Sequence, residues 1–228
     1  MQYQFPIFEN LCPSWGNFTH LGIKRFFLKG SQVFDIVNPI HGVYYVKKGE
    51  VEVILHTLHG PEKVLYYVGQ GCIFGEVSCF VAGDSGEARV IARTDSECFF
   101  FPKEIIENQL AETHPKLLLE LIQAEAYKIR MYGVLLQDSL NNNNFERVCK
   151  MLVYLVRYKM GENRLSDSKI LINPGLSQID MARLMGLHRV TVTKAISRLK
   201  KLGILDTYSK KSLIITDFPA LIGLSESE

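Results

Sequence analysis

Hydrophobic and polar positions follow two different periods along this chain, and the period changes near residue 113. From about Phe18 to Phe101 the apolar residues come in short runs: Gly42–Val46, Val51–His56, Val64–Val68, Arg89–Arg93 and Glu97–Phe101. Gly30, Gly49, Gly60, Gly69, Gly71, Gly75, Gly83 and Gly86 separate them. Alternation is clearest in Val51-Glu-Val-Ile-Leu, and a hairpin turn is expected around His59-Gly60-Pro61-Glu62. Many short strands at regular turn spacing predict a sandwich or barrel, here a jelly roll with an interior able to hold one small molecule.

Beyond that point the period becomes helical. Thr113 is a candidate cap and Pro115 suits a first helical turn. Leu118, Ile122, Glu125, Ile129, Tyr132 and Leu136 then recur at spacings of 4, 3, 4, 3 and 4. Such a heptad seam predicts that two copies pair as a coiled coil. Glu125 interrupts the seam and Lys128 flanks it, so these polar groups call for an ion pair across the dimer or contact with a ligand. Asn141-Asn-Asn-Asn144 is the expected hinge, since asparagine disfavours helix interiors and accepts left-handed angles. Phe145–Met160 follows as an amphipathic helix with Val148, Leu152, Leu155 and Val156 on one face.

Two short helical patterns come next. Ile179, Leu184 and Met185 mark the first; Val192, Ala195, Ile196 and Leu199 mark the second, with Gly186 between them and Gly203 after. Ser177 and Asp180 predict a capping box at the first start. Two short helices joined by a glycine-containing turn are a helix-turn-helix, whose second helix enters the DNA major groove. At about 100° per residue, Val190, Lys194, Ser197 and Lys201 lie opposite the apolar stripe, with Arg189, Thr191 and Thr193 at the first turn. Ile170–Ile172, Ile204–Tyr208 and Leu213–Thr216 read as a wing whose turn, Ser209-Lys-Lys-Ser, offers two lysines to a phosphate. Leu221–Glu228 reads as a frayed end.

Charge strengthens this picture. The 228 residues carry a net charge of only +2, yet Lys169–Lys211 holds nine Lys/Arg against two Asp. A basic C-terminal third on a nearly neutral body is the footprint of a nucleic-acid-binding domain. The length predicts two domains of ordinary size. The start lacks the pattern of a signal peptide, and the longest uncharged run, Val64–Gly75, is too short to span a bilayer. The five cysteines (Cys12, Cys72, Cys79, Cys98, Cys149) are odd in number and show no CxxC spacing. They read as cytoplasmic thiols rather than a disulfide framework or metal site. No HExxH, P-loop or nucleophile elbow occurs, so an enzyme is not expected.

The order of glycine-punctuated roll, long helix, hinge and winged helix-turn-helix resembles the Crp-Fnr family of bacterial transcription regulators. VYYVKKGEVEV (Val43–Val53), FGEVSCF (Phe74–Phe80) and LSQIDMARLMGLHRVTVTKAISRLKKLGIL carry the resemblance. Lys63–Gly75 and His188–Lys194 are similar to the halorespiration regulators of CprK type, which respond to halogenated phenolic compounds. The resemblance implies an α+β fold with an N-terminal double-stranded β-helix (a cyclic-nucleotide-binding-like jelly roll) over 1–112. A dimerisation helix over 113–140 and a winged helix-turn-helix over 141–228 would follow. It implies a cytoplasmic homodimer that binds a palindromic DNA site and works with RNA polymerase, away from any membrane.

Site residues follow from the resemblance. Tyr67, Glu76, Gly86, Glu87, Glu125 and Lys128 would face the effector. Ser177, His188, Arg189, Val190, Thr191, Thr193, Lys194, Ser197 and Arg198 would face DNA. No cofactor or metal is expected, only a small effector. The cyclic-nucleotide branch has an Arg-Ser pair where this chain has Gly86 and Glu87, and a carboxylate repels a phosphate. Strand alternation turns nearby Arg89 to the opposite face from Gly86. A halogenated phenol or aromatic acid therefore fits better. Tyr66 and Tyr67 alternate faces, the resemblance favouring Tyr67 as the one inside, with Lys128 as the ligand's cation. Cyclic-nucleotide sensing, and redox sensing through Cys12 or the other thiols, are the alternatives. Val190 replaces a glutamate common in the family, and its methyls suit a thymine C5-methyl, predicting TTAAT-like half-sites in inverted repeat.

Overall fold

The computed structural model describes residues 5–34, 41–55, 62–81, 88–161 and 168–226. It divides into two compact units: residues from Pro6 to Ile129, and Phe5 with residues from Arg130 onward. The division falls inside one long helix.

The first unit is a roll of two sheets. Strands β1 (Ile7–Phe8), β2 (Ile23–Phe27), β3 (Gln32–Phe34), β4 (Gly42–Lys48), β5 (Val51–Leu55), β6 (Lys63–Val68), β7 (Ile73–Phe74), β8 (Ala88–Ala92) and β9 (Ser96–Pro102) form it. One sheet runs β1-β6-β5-β8-β3 and the other β2-β9-β4-β7. The strands expected from alternation are present. Strands β1, β2, β3 and β7 were not foreseen: β1, β3 and β7 have only two or three residues, too few to show a period, and β2 is exposed along most of its length rather than alternating. The turn expected at His59–Glu62 lies, up to Pro61, outside the described residues.

Strand β4 is buried on both sides, which explains its unbroken apolar run. Tyr44 points between the sheets, stacking on Phe74 at 5.2 Å, and Phe34 from the other sheet stacks on Phe74 at 6.1 Å. Val43 and Tyr45 point outward into a second core with Trp15, Phe101, Leu117, Leu121 and Ala124. Trp15 Nε1 donates to the Leu117 carbonyl at 3.1 Å, satisfying the buried indole. Burying each such aliphatic side chain contributes about 1.5–3 kcal/mol.

Helix α1 (Glu76–Phe80) opens at Gly75, whose φ of 95° suits glycine best. After β9 come the short helices α2 (Lys103–Ile105) and α3 (Ala111–Thr113), bracketing a π-turn at Ile106–Leu110. Helix α4 (Pro115–Asn141) follows. Thr113 does not cap it; its hydroxyl donates back to the Gln109 carbonyl at 2.6 Å.

Two apolar stripes run along α4, and only one was anticipated. Leu117, Leu121 and Ala124 are buried, and Lys128 continues their spacing. Ile122, Ile129 and Leu136, seven residues apart, are exposed. The exposed stripe is the heptad seam. Lys128 belongs to the other, buried stripe, not to the flank of the seam.

In the second unit, α5 (Asn144–Met160) begins at a capping box in which Asn143 and Glu146 bond each other's backbone N–H. Such a cap is worth about 1 kcal/mol. Asp138 near the end of α4 accepts from Lys150 at 3.0 Å and from Tyr154 at 3.1 Å. The asparagine run expected as a hinge is thus a capped turn braced on both sides. Strands β10 (Ile170–Ile172), β11 (Leu205–Tyr208) and β12 (Leu213–Ile215) form the wing, in the order β10-β12-β11. Helices α6 (Gln178–Met185) and α7 (Arg189–Lys201) sit within it. The end of the chain is not frayed over its described length: α8 (Phe218–Ser225) buries Phe218 and Leu221, with Asp217 capping Ala220 N–H at 2.9 Å. Burial of these two large apolar side chains offsets its short length.

Candidate effector site and DNA-reading surface

The reader is built from its caps. Ser177 Oγ accepts from Asp180 N–H at 3.2 Å, and Asp180 accepts from Ser177 N–H at 2.8 Å. Gly186 ends α6 with φ 63°, a left-handed angle that a Cβ would disfavour. Arg147 of α5 donates to the Met185 carbonyl at 2.8 Å, holding the turn. Helix α7 buries Val192, Ala195, Ile196 and Leu199. That buried set fixes its rotation and leaves His188, Arg189, Val190, Thr193, Lys194, Ser197 and Arg198 exposed, with Thr191 partly so. Val190 is 62% exposed, which no core role explains. Ile179, expected on the buried side of α6, is instead 47% exposed.

Three details were not legible in the sequence. Thr193 donates to Gln178 Oε1 at 2.8 Å, which joins the first turn of α6 to the reading face. Arg198 lies over the Phe145 ring at 3.9 Å, so its guanidinium is held against α5. Ser177 Oγ also donates to Asp180 at 2.8 Å, so its hydroxyl serves the cap.

In the roll, strand register decides which tyrosine faces inward. Phe34 pairs with Val90, Val90 with Val53, and Val53 with Tyr66. Directly opposed residues share a face, so Tyr66 lies on the face from which Phe34 reaches between the sheets. Tyr67 pairs with Glu52, and Glu52 with Ile91, on the opposite face. The Arg93 guanidinium covers the Tyr67 ring at 4.1 Å. Lys128 Nζ lies 5.4 Å from the Tyr66 ring centroid. The expected partnership of Tyr67 with Lys128 is therefore replaced by Tyr66 with Lys128.

Lys128 is 3% exposed, and all three ammonium hydrogens are used. It is ion-paired to Glu76, donates to Glu125 Oε1 at 2.7 Å, and donates to the Ile73 carbonyl at 3.3 Å. Burial disfavours its charge, but the two carboxylates outweigh this and raise its pKa. Burial, then Glu76, push Glu125 up from 4.5 to about 7 against the pull of Lys128. Glu76 is buried, and its Oε2 has no hydrogen-bond partner among the described residues. A groove of about 480 Å³ between α1 and α4 is lined by Glu76 and Glu125 with Phe80, Leu118, Leu121, Ile122 and Ile129; Glu125 is the more open of the two carboxylates. Gly86 and Glu87 lie outside the described residues. Arg89 is ion-paired to Glu62 and shares a strand face with Ile91, not with Val90.

All five cysteines are buried, and burial raises every thiol, Cys72 and Cys79 to about 11 and Cys98 and Cys149 to about 12. Among the described residues no cluster of His, Cys, Asp or Glu is arranged to hold a metal, and no helix is long and apolar enough to cross a membrane.

Residues 24–113 match the cyclic nucleotide-binding domain family, and residues 146–224 match the Crp-like helix-turn-helix domain family. The chain is 25% identical over 191 residues to the CRP-like cAMP-activated global transcriptional regulator of Mycobacterium tuberculosis, covering 84% of this chain and 83% of that one. It is 27% identical over 200 residues to the CRP-like protein Clp of Xanthomonas oryzae pv. oryzae, covering 82% and 81%. The solved structure of CprK complexed with OCPA superposes with a TM-score of 0.81 at 23% identity, covering 98% of this chain and 99% of that one.

Proposed function

This chain belongs to the Crp-Fnr family of ligand-responsive, DNA-binding transcription regulators, and from that premise we propose that its effector is a halogenated phenol or aromatic acid. The effector enters the roll beside Tyr66 and places its acidic oxygen at Lys128. One observation carries the reading: a buried ammonium beside an inward-facing tyrosine ring, at the point where α4 meets the roll. An aromatic ring stacks on Tyr66. A halogen lowers a phenol's pKa, so its anion is the form a buried ammonium holds best. The similarity in fold to CprK, solved with OCPA, points the same way.

The chain then acts as a homodimer paired along Ile122, Ile129 and Leu136. Residues 1–112 hold the effector, 113–140 pair the subunits and 141–228 read DNA. Effector occupancy biases α4, which continues from the roll into the second unit, and so tightens binding to an inverted repeat with TTAAT-like half-sites about one helical turn apart. A coupling of about 1–3 kcal/mol suffices. RNA polymerase is the downstream partner, and the regulated genes serve respiration on such aromatic compounds.

The test is a titration of the full-length chain with phenol, chlorophenols, chlorinated phenylacetates and cyclic AMP, followed by thermal shift and by binding to a palindromic TTAAT duplex. A chlorinated acid that raises both the melting temperature and DNA affinity supports the reading. A response to cyclic AMP alone overturns it in favour of the activity its curated relatives carry in their names. Redox sensing is the weaker alternative, because buried thiols with raised pKa values react slowly.

A further inference from the structure

We infer that Gln178, at the first position of α6, is a phosphate contact of the reader, and that Thr193 of α7 holds it in place rather than reading a base. This rests on the helix-turn-helix binding DNA and is independent of which effector the roll takes.

The Thr193 hydroxyl donates to Gln178 Oε1 at 2.8 Å. A helical threonine can return its hydroxyl to the carbonyl one turn back; here its single hydrogen goes to another helix. An amide side chain carries one acceptor oxygen and an NH2 with two donor hydrogens. Thr193 therefore fixes the amide by its acceptor end and leaves the donor end to whatever approaches this face. No described residue accepts from that NH2.

Placement selects the group it meets. When a helix-turn-helix sits on DNA, its second helix lies in the major groove and its first crosses the backbone. Gln178 opens the first helix and is tied to the exposed face of the second, so it stands where groove and backbone adjoin. Arg189 and Lys194, both exposed on α7, draw phosphates to the same region. Asp180, two residues on, is turned to the Ser177 N–H and hydroxyl, so its carboxylate is engaged within the cap. A phosphate oxygen only accepts, which matches an amide presenting donors. Paired recognition of adenine needs the glutamine oxygen as an acceptor too, and the Thr193 hydroxyl already sits on it.

The effector-free, full-length chain is titrated at low salt against a palindromic TTAAT duplex and a scrambled duplex of equal length. A phosphate contact carries no sequence information, so Gln178→Ala should weaken binding to both by about tenfold. Gln178→Glu keeps an acceptor for Thr193 but has no donor, and should weaken both further. Thr193→Val should cost about threefold on both duplexes, and nothing more when combined with Gln178→Ala, because the hydroxyl acts through the amide. Thr193→Ser keeps the hydroxyl and should bind as wild type does. A Gln178→Ala loss confined to the TTAAT duplex makes Gln178 a base reader, and no loss on either duplex makes the pair a packing contact; each result overturns the inference. So does a Thr193→Val loss that persists beside Gln178→Ala. A wild type that binds neither duplex overturns the DNA-reading function itself, and this inference with it.

Discussion

Lys128 Nζ lies 5.4 Å from the ring of Tyr66 and is bonded to two carboxylates and one carbonyl. The side chain therefore has two separable roles, which variants can divide. Lys128→Ala removes the effector's cation but also strands the buried Glu76 carboxylate. Breaking a buried pair in this way costs about 3–5 kcal/mol, so the variant should lose the effector response and melt early. Lys128→Met with Glu76→Gln should recover most of the melting temperature without recovering the response. A double variant that still responds would show that the effector needs no cation there. Basal DNA affinity should persist in the double variant.

Base preference should follow the residue at 190. Val190 is exposed on the reading face and has no hydrogen-bonding group. Val190→Glu should shift preference from TTAAT toward TTGAT half-sites, because glutamate accepts from the cytosine amine opposite that guanine. Discrimination of about 1–3 kcal/mol is expected, read as relative affinity in a competition assay with the two duplexes at one salt concentration.

The exposed heptad stripe should set the oligomeric state. Changing both Ile122 and Ile129 to Glu adds two like charges to the one, Glu125, already on that face, in place of its exposed apolar side chains. Sedimentation should show a shift from dimer to monomer, with DNA affinity falling as the second reading helix is lost. The monomer's circular dichroism should stay near wild type, since neither side chain belongs to the buried stripe.

Stability should carry the signature of Glu125 across pH. Its pKa is raised from 4.5 to about 7 by burial and by Glu76. Folding therefore favours its protonated form: its contribution is fully present below about pH 4.5 and is lost as pH rises through 7. Glu125→Gln cannot ionise, so chemical denaturation should show its stability gaining on wild type between pH 5 and 8. A constant difference across that range would mean the carboxylate titrates normally.

The turn of the reader offers a local test. Gly186 has φ 63° at the end of α6. Gly186→Ala should cost about 1–2 kcal/mol, measured by urea unfolding, and should weaken DNA binding only through the folded fraction.

Much of the architecture was written into local sequence. The five longest-period strands, the capping box at Ser177 and Asp180, the glycine turn and the buried stripe of α7 all depend on residues within a few positions of one another. Backbone geometry alone converts such spacings into faces, so a period and a cap suffice to place Val190, Lys194 and Ser197 outward. The exposed heptad on α4 was legible for the same reason.

Tertiary packing decided the rest. Alternation says that Tyr66 and Tyr67 point oppositely, but only the pairing of β6 with β5, β8 and β3 says which one faces inward. A one-residue change of register would reverse the answer. Lys128 gave no local sign of burial, because its three acceptors come from β7, α1 and its own helix, and a charge is tolerated inside only where such distant groups converge. The C-terminal residues looked frayed for want of length, yet α8 folds because Phe218 and Leu221 find a core to enter. Spacing along the chain fixed what each segment is; contacts across it fixed which of its side chains meet.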